Sequence, residues 1–232
     1  MAVDYNNILM IYIPRNGCTC VPFKRISGAE ENQIINNARN FKLAKEGRFD
    51  TFLELKSKID VASFNKITIV RNPYTRTYSL YRRYLMLTKL SQQDKPFLDF
   101  LNTIKDNTPY HPVARGLLHR TQSWFILNES GQVESSIKVY KLENLQELRT
   151  DLEIENYHSN RMHYNSIEEA LTRYDSQEEN ALLLANTFLQ YKSYSTTQRR
   201  EAYTQQCIDL VQEIYSQDFD NFNYSRNIDD II

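Results

Sequence analysis

Residues 67–81 read ITIVRNPYTRTYSLY: an apolar, β-branched run ends at an arginine, and a proline then begins a helical pattern. The run is typical of a buried strand, and Pro73 directly after Asn72 is a favoured way to begin a helix. A helix start exposes backbone N–H groups and a positive dipole end, which favour a bound anion. Arg71 and Ser79 add a planar cation and a hydroxyl donor, so this stretch predicts a phosphate site.

A second strand followed by a turn lies near the N-terminus. Residues 7–13 read NILMIYI, which predicts a short buried strand, and residues 14–20 continue as PRNGCTC. Gly17 allows a tight turn or a close approach of the backbone to a ligand. Thr19 can cap a helix or bind an oxygen anion, and we expect a helix over residues 19–27.

The rest of the chain shows no internal repeat and no low-complexity linker. Periodicity and capping signals predict helices over 73–89, 95–105, 143–152, 177–190 and 196–217, a strand over 135–142 and a loop over 106–121. Residues 29–62 are polar and mixed, and we expect one or two helices and a connection that crosses the sheet there. Together these elements predict a single α/β domain over residues 1–232, with a central, mostly parallel sheet of about four or five strands flanked by helices.

Composition narrows the class of protein. Lys plus Arg number 28 and Asp plus Glu 29, so no global basic charge indicates nucleic-acid binding, and any anion site must be local. Three cysteines, two of them within residues 14–20, argue against a disulfide framework and fit a reducing compartment. No second Cys/His pair lies at zinc-like spacing, so we expect no metal. The N-terminus lacks a secretory signal and no stretch approaches the length of a transmembrane helix, so we expect a cytoplasmic protein.

The two strand-and-turn elements together resemble the sulfotransferases, specifically the carbohydrate-type, family 2-like branch. Residues 14–20 resemble that family's Pro-Lys-x-Gly-x-Thr-Ser/Thr loop, and residues 71–81 match its Arg-(Asp/Asn)-Pro-(Tyr/Phe)-x-Arg-x-x-Ser-x-Tyr motif. Residues 139–145 (VYKLENL) are similar to the family's strand that ends in Glu-Asn-Leu, and residues 214–224 (IYSQDFDNFNY) to its Tyr-x-x-Asp-Phe-x-x-Phe-x-Tyr tail. The resemblance spans residues 7–224.

The resemblance implies a P-loop-like domain that binds 3′-phosphoadenosine 5′-phosphosulfate as the sulfuryl donor, without a metal. The first loop would hold the 5′-phosphosulfate, and Arg15 would stabilise the charge that develops on the leaving phosphate. Arg71 and Ser79 would hold the 3′-phosphate, and Lys192 would add a phosphate contact from a loop that closes over the nucleotide. The implied cofactor-binding set is Pro14, Arg15, Asn16, Gly17, Cys18, Thr19, Cys20, Arg71, Ser79 and Lys192. If the two strands are neighbours, both turns face one crevice.

Transfer to an acceptor hydroxyl also needs a general base. Residues 118–125 are similar to the family's His-x-x-Pro-Gln segment, although the histidine is displaced by one residue and the proline is absent. His119 is therefore the first candidate for the catalytic base, beside Arg15 as the other catalytic residue. The further candidates are His111, Glu30 and Glu31, whereas His158 and His163 receive no role. We expect Glu143 to orient the adjacent loop or to cap the next helix.

Three functions remain open on these residues. The leading one is a sulfotransferase that acts on a hydroxyl or an amine of a carbohydrate or other small hydroxyl-bearing acceptor. Arg15 stands where the family has lysine and Cys20 where a hydroxyl residue is usual, and these departures favour a non-catalytic nucleotide- or glycan-binding module as the alternative. A P-loop nucleoside-type kinase ranks last, because the Gly-x-x-x-x-Gly-Lys-Ser/Thr pattern and a carboxylate pair for Mg²⁺ are missing.

Overall fold

The structure, a computed structural model, describes residues 8–11, 13, 34–36, 51–57, 60–88, 90–106, 119–151 and 196–231. For residues 34–36, 86, 87, 145, 149 and 196–198 it describes the backbone alone. The helices predicted over 19–27 and 177–190 lie outside these residues. Within them the strands are β1 (Ile8–Ile11), β2 (Ile34–Asn36), β3 (Asn65–Val70) and β4 (Ile137–Lys141). The helices are α1 (Phe52–Lys56), α2 (Pro73–Thr88), α3 (Phe97–Lys105), α4 (Leu145–Asp151), α5 (Thr196–Ala202), α6 (Gln205–Ile214) and α7 (Ser216–Asn221).

The described strands form one parallel sheet in the order β2-β1-β3-β4. Ile8 pairs with Asn65 and Ile11 with Thr68, and on the other side of β3 Val70 pairs with Lys141. A parallel sheet flanked by helices confirms the predicted α/β class. Strand β2 was not predicted, because its three residues are too short to show an extended pattern within a polar stretch.

Helix α2 buries the face that its sequence predicts. Tyr74, Tyr78, Tyr81 and Leu85 are each at most 3% exposed and belong to one apolar cluster with side chains of α3, α6 and α7. Aromatic rings supply much of this packing, for example Tyr81 against Phe100, whose ring centroids lie 5.2 Å apart. Such pairs prefer tilted or edge-to-face geometry and add to the stability gained from burial. Helix α2 is therefore a rigid base for the residues at its N-terminus.

A second apolar cluster includes the sheet strands β1 and β3. Leu9, Ile11 and Val70 pack with Phe125 and Phe222, and all five are buried. Residues that are buried on a parallel strand are commonly β-branched or leucine, which is the composition seen here. The cluster ties the sheet to the segment after residue 119 and to the C-terminal segment, both of which approach the end of β3.

The stretch predicted to be helical over 196–217 is divided in the structure into three helices, α5, α6 and α7. Thr204 adopts an extended backbone conformation and its side chain accepts a hydrogen bond from the N–H of Cys207, which begins a new helix. This is an ordinary N-cap, and it ends the preceding helix. Tyr215, with φ −113° and ψ 24°, separates α6 from α7 while keeping its ring fully buried.

Candidate functional site

The carboxyl ends of β1 and β3 lie side by side. The hydroxyl of Thr68 on β3 donates a 2.8 Å hydrogen bond to the carbonyl of Ile11, the last residue of β1. Within the sheet, β2 lies next to β1 on one side, and β3, the next strand along the chain, lies next to β1 on the other side. Strand order therefore reverses at β1, and in open parallel sheets ligands bind in the crevice at this reversal. The turn that carries Arg71 directly follows β3, which pairs with β1 at this reversal.

Asn72 and Pro73 begin α2 as the sequence predicts. The side-chain oxygen of Asn72 accepts a 2.9 Å hydrogen bond from the N–H of Tyr74, and the Asn72 carbonyl accepts the N–H of Arg76. These bonds make Asn72 the N-cap of a helix sixteen residues long, with its positive dipole end at the Arg71 turn. The local field at this turn thus favours an anion.

Arg71 is half-buried and its side chain lies against the first turn of α2. Its Nε donates a 2.9 Å hydrogen bond to Oγ1 of Thr75, and the same hydroxyl donates 3.1 Å to the carbonyl of Asn72. Ser79, also half-buried, follows Thr75 by four residues and so lies on the same helix face, one turn further along. Arg71 and Ser79 therefore lie along one face of α2.

The main chain of Arg71 is bound by the side chain of Gln122. The Arg71 N–H donates to Oε1 of Gln122 at 2.8 Å, and Nε2 of Gln122 donates to the Arg71 carbonyl at 2.8 Å. Gln122 is fully buried, and its own N–H donates to Oδ2 of Asp218 at 2.7 Å. Asp218, also fully buried, accepts two more hydrogen bonds from the N–H and the hydroxyl of Ser123.

Glu143, directly after β4, holds the same turn from the other side. Its Oε1 accepts a 2.8 Å hydrogen bond from the N–H of Asn72, and its Oε2 accepts 3.0 Å from the hydroxyl of Tyr224. Burial and the neighbouring Glu143 carboxylate raise the pKa of the Tyr224 phenol well above its ordinary value, while the charge of Arg71 opposes that rise. Glu143 thus orients the loop, which is one of the two structural roles expected of it.

A lysine completes the charge pattern at this edge of the sheet. Lys141 ends β4, and its ammonium lies 4.5 Å from the centroid of the Tyr224 ring and donates to the carbonyl of Asn223 at 3.0 Å. Cation–π contact and a carbonyl acceptor fix the position of this charge. Lys141 and Arg71 therefore place two cations at adjacent strand ends, opposite one carboxylate from Glu143.

His119 lies three residues before Gln122, in the segment that binds the Arg71 turn. Burial, together with the positive charges of Arg120 and Arg76, lowers the pKa of His119 from its ordinary 6.5 to about 4. Arg76 is itself buried and donates through Nη1 to the carbonyl of Arg120 at 3.0 Å. The imidazole is therefore neutral at pH 7.

Several predicted site residues lie outside the described residues. They are residues 14–20, Lys192, His111, Glu30 and Glu31. His158 and His163, which received no role, also lie outside the described residues. Ile13, the residue before the first loop, is described and is 2% exposed, so the chain enters this loop from within the core. Of the predicted set, the structure thus describes Arg71, Ser79 and His119.

Sequence reasoning missed the supporting roles of Thr75, Gln122 and Asp218. Thr75 could have been found from its spacing, because it follows Arg71 by four residues at the start of a predicted helix. Gln122 and Asp218 lie within segments that resemble family motifs, but their partners are distant in sequence. Gln122 bonds to Arg71, 51 residues away, and Asp218 bonds to Gln122, 96 residues away. No pattern in a single sequence encodes these pairings.

The described residues also line a surface groove of about 500 Å³ beside Tyr81, Phe97 and Cys207. Tyr81 follows Arg71 by ten residues, or about 15 Å along the axis of α2, so this groove is not part of the site. Among the described side chains there is no group of three or more His, Cys, Asp or Glu residues placed to hold a metal ion. Nor does this part of the chain contain a helix long and apolar enough to cross a membrane.

In a comparison with protein families, residues 1–225 match the model described as "Sulfotransferase family". No curated protein and no solved structure matches the chain. The matched residues include the four strands and seven helices named above, together with Gln122 and Glu143, whose side chains bind the Arg71 turn.

Proposed function

The chain belongs to the sulfotransferase family, and from this membership we propose a specific reaction. The protein transfers a sulfuryl group from 3′-phosphoadenosine 5′-phosphosulfate to a hydroxyl or an amine of a carbohydrate-type acceptor. The nucleotide supplies the activated sulfuryl group when it is bound. The residues of this chain bind its phosphates, orient the transferred group and take up the proton of the acceptor.

The observation that carries the proposal is the parallel pairing of β1 with β3. Residues 14–20 follow β1 after the buried Ile13, and the Arg71 turn follows β3. Two phosphate-binding segments that begin at adjacent strand ends suit a nucleotide with phosphates on both its 5′ and its 3′ side. A ligand with one phosphate would use one of these segments.

The chemistry of the described donors fits a phosphate. Arg71 provides a permanent cation, the N-terminal end of α2 provides a favourable dipole, and Ser79 lies on the same helix face. We assign the 3′-phosphate to Arg71 and Ser79. The 5′-phosphosulfate falls to residues 14–20, and Lys192 adds a contact to the nucleotide.

Sulfuryl transfer depends on positioning and on stabilising the charge that develops on the leaving phosphate. We assign that stabilisation to Arg15. We assign the role of general base to His119, which lies in the segment that binds the Arg71 turn and is neutral at pH 7. Anionic groups bound nearby would raise the pKa of His119 towards neutrality, where a general base is most effective.

We place the protein in a reducing compartment such as the cytoplasm. The support is the odd number of cysteines and the state of Cys207, a buried free thiol whose sulfur accepts a 3.3 Å hydrogen bond from the hydroxyl of Thr204. The three thiols would then serve as small packing residues rather than as disulfide partners.

The proposed activity is tested by transfer of radiolabelled sulfate from the nucleotide donor to a panel of mono- and oligosaccharides. We expect labelled product with at least one saccharide, and transfer at least about a hundredfold slower after Arg15→Ala. Nucleotide binding without transfer to any acceptor would favour the non-catalytic binding module. Absence of both binding and transfer would overturn the proposed function.

A further inference from the structure

Arg71 is held at both its side chain and its main chain by residues that the proposed function does not use. Thr75 binds Nε of the guanidinium at 2.9 Å, and Gln122 binds the N–H and the carbonyl of the main chain, each at 2.8 Å. We propose that Thr75 and Gln122 are positioning residues that preorganise Arg71 for a phosphate. The inference rests on the proposed function and adds two residues to its 3′-phosphate site.

Thr75 fixes the plane of the guanidinium. Its hydroxyl has one proton and donates it to the carbonyl of Asn72, so its lone pairs face Nε of Arg71. Thr75 is only 7% exposed, so water does not compete effectively for this bond. With Nε bound to the helix, the arginine meets an anion through its Nη nitrogens, which are the paired donors of a bidentate phosphate contact.

Gln122 fixes the position of the Arg71 main chain. A primary amide offers one carbonyl and one NH₂ group, and here they match the N–H and the carbonyl of one residue. The backbone of Gln122 is anchored in turn by the fully buried carboxylate of Asp218. The base of the Arg71 side chain is therefore tied to α7, rather than to a surface loop.

Preorganisation of this kind raises affinity because a long side chain does not have to be ordered when the ligand binds. The expected effect is specific to the 3′-phosphate, since neither residue belongs to the segment after β1. A comparison of 3′-phosphoadenosine 5′-phosphate with adenosine 5′-phosphate isolates it, because the two ligands differ only in that phosphate.

The test is calorimetric titration of both nucleotides into wild-type protein, Thr75→Val and Thr75→Ser at one pH and one salt concentration. Valine keeps the shape and loses the hydroxyl, whereas serine keeps the hydroxyl. We expect Thr75→Val to weaken binding of 3′-phosphoadenosine 5′-phosphate about threefold to tenfold. Binding of adenosine 5′-phosphate should stay within about twofold, and Thr75→Ser should restore the affinity. An unchanged affinity in Thr75→Val, or an equal loss for both nucleotides, would overturn the proposal.

A double-mutant cycle tests whether Thr75 acts through Arg71. In the Arg71→Ala background, Thr75→Val should cause no further loss, and an additive loss would overturn the proposal. Gln122→Met tests the main-chain contact independently: methionine has a similar length and no charge, and it loses both the acceptor and the donor. The same selective loss is expected there, and Gln206→Met, at an exposed position, is the matched control. Equal effects of the two methionine variants would overturn the role of Gln122.

The outcomes for this inference and for the proposed function are distinguishable. If wild-type protein does not bind 3′-phosphoadenosine 5′-phosphate, the proposed function fails and this inference fails with it. If wild-type protein binds the nucleotide and Arg71→Ala weakens binding, while Thr75→Val and Gln122→Met do not, only the positioning roles are overturned.

Discussion

Asp218 and Gln122 lie 96 residues apart in sequence, and Oδ2 of Asp218 accepts a 2.7 Å hydrogen bond from the N–H of Gln122. The same carboxylate binds the N–H and the hydroxyl of Ser123, each at 2.8 Å. Buried carboxylates are costly unless they are fully hydrogen-bonded, and Asp218 meets that condition within the protein. Asp218 in α7 therefore supports the Arg71 turn indirectly: it anchors Gln122, and the side chain of Gln122 binds the main chain of Arg71.

Replacing this carboxylate should destabilise the fold. Asp218→Asn keeps the size of the side chain but turns NH₂ towards backbone N–H donors, so we expect a loss of about 2–4 kcal/mol in the free energy of unfolding. Urea denaturation followed by circular dichroism measures it. Asp220→Asn is the control, because Asp220 is exposed and pairs with Arg226 at the surface, where an ion pair contributes less than about 1 kcal/mol. Similar losses in the two variants would contradict the role of Asp218.

The N-cap of α2 gives a second prediction about stability. Asn72→Ala removes the acceptor for the N–H of Tyr74, and we expect a cost of about 1–2 kcal/mol in the free energy of unfolding. Asn102→Ala, at an exposed position inside α3, should be neutral or stabilising by a few tenths of a kcal/mol. Denaturant midpoints of the two variants provide the comparison, and a loss in Asn102→Ala as large as in Asn72→Ala would refute the capping role.

Stability should depend on the protonation of His119. Its pKa is lowered from 6.5 to about 4 by burial and by the charges of Arg120 and Arg76. Between these two pH values the unfolded chain binds a proton at His119 that the folded chain does not, so stability falls as pH drops through this window. Above pH 6.5 the group makes no pH-dependent contribution. Because the ring is partly exposed, we expect a loss of about 1–2 kcal/mol over the window.

Two measurements test this prediction. In an NMR titration of the four histidines, one imidazole should stay neutral until the pH falls to about 4. The signal of this imidazole should be missing in His119→Gln. The slope of unfolding free energy against pH should also flatten in that variant. A His119 signal that titrates near 6.5 would show that burial does not depress its pKa.

Arg15 gives a prediction about catalysis. If its role is to stabilise charge on the leaving phosphate, Arg15→Ala should lower kcat by about a hundredfold or more, because a charge-stabilising group is lost. Arg15→Lys restores the residue usual in the family and keeps the charge, so kcat should stay within about tenfold of wild type. Sulfate-transfer assays at saturating donor make the measurement. Equal activity of Arg15→Ala and wild type would remove Arg15 from the mechanism.

Local features were predictable from the sequence, and the helix that carries the site is the best example. The pattern predicts a helix over 73–89 and the structure has Pro73–Thr88, because a cap, a proline and an apolar stripe are all encoded within a few turns. The strand over 135–142 was likewise recognised and is Ile137–Lys141 in the structure. Each of these signals depends on neighbouring residues only.

Features that depend on distant contacts were not predictable. The pairing of β1 with β3 was stated only as a condition, since strand order is set by the whole sheet rather than by either strand. The break at Thr204 was missed because residues 196–217 contain no glycine or proline to mark the end of a helix. The Thr204 cap nevertheless competes successfully with helix continuation. The network of Asp218 and Gln122 joins two segments that no periodicity relates.

The central claim is that the Arg71 turn binds the 3′-phosphate of the nucleotide. The most direct test is calorimetric titration of wild-type protein and Arg71→Ala with 3′-phosphoadenosine 5′-phosphate and adenosine 5′-phosphate, with Arg200→Ala as a control at an exposed arginine. We predict that wild-type protein binds the 3′-phosphorylated nucleotide at least about tenfold more tightly, and that Arg71→Ala alone abolishes this preference. Equal affinities of wild-type protein for the two nucleotides, or no binding at millimolar ligand, would contradict the claim.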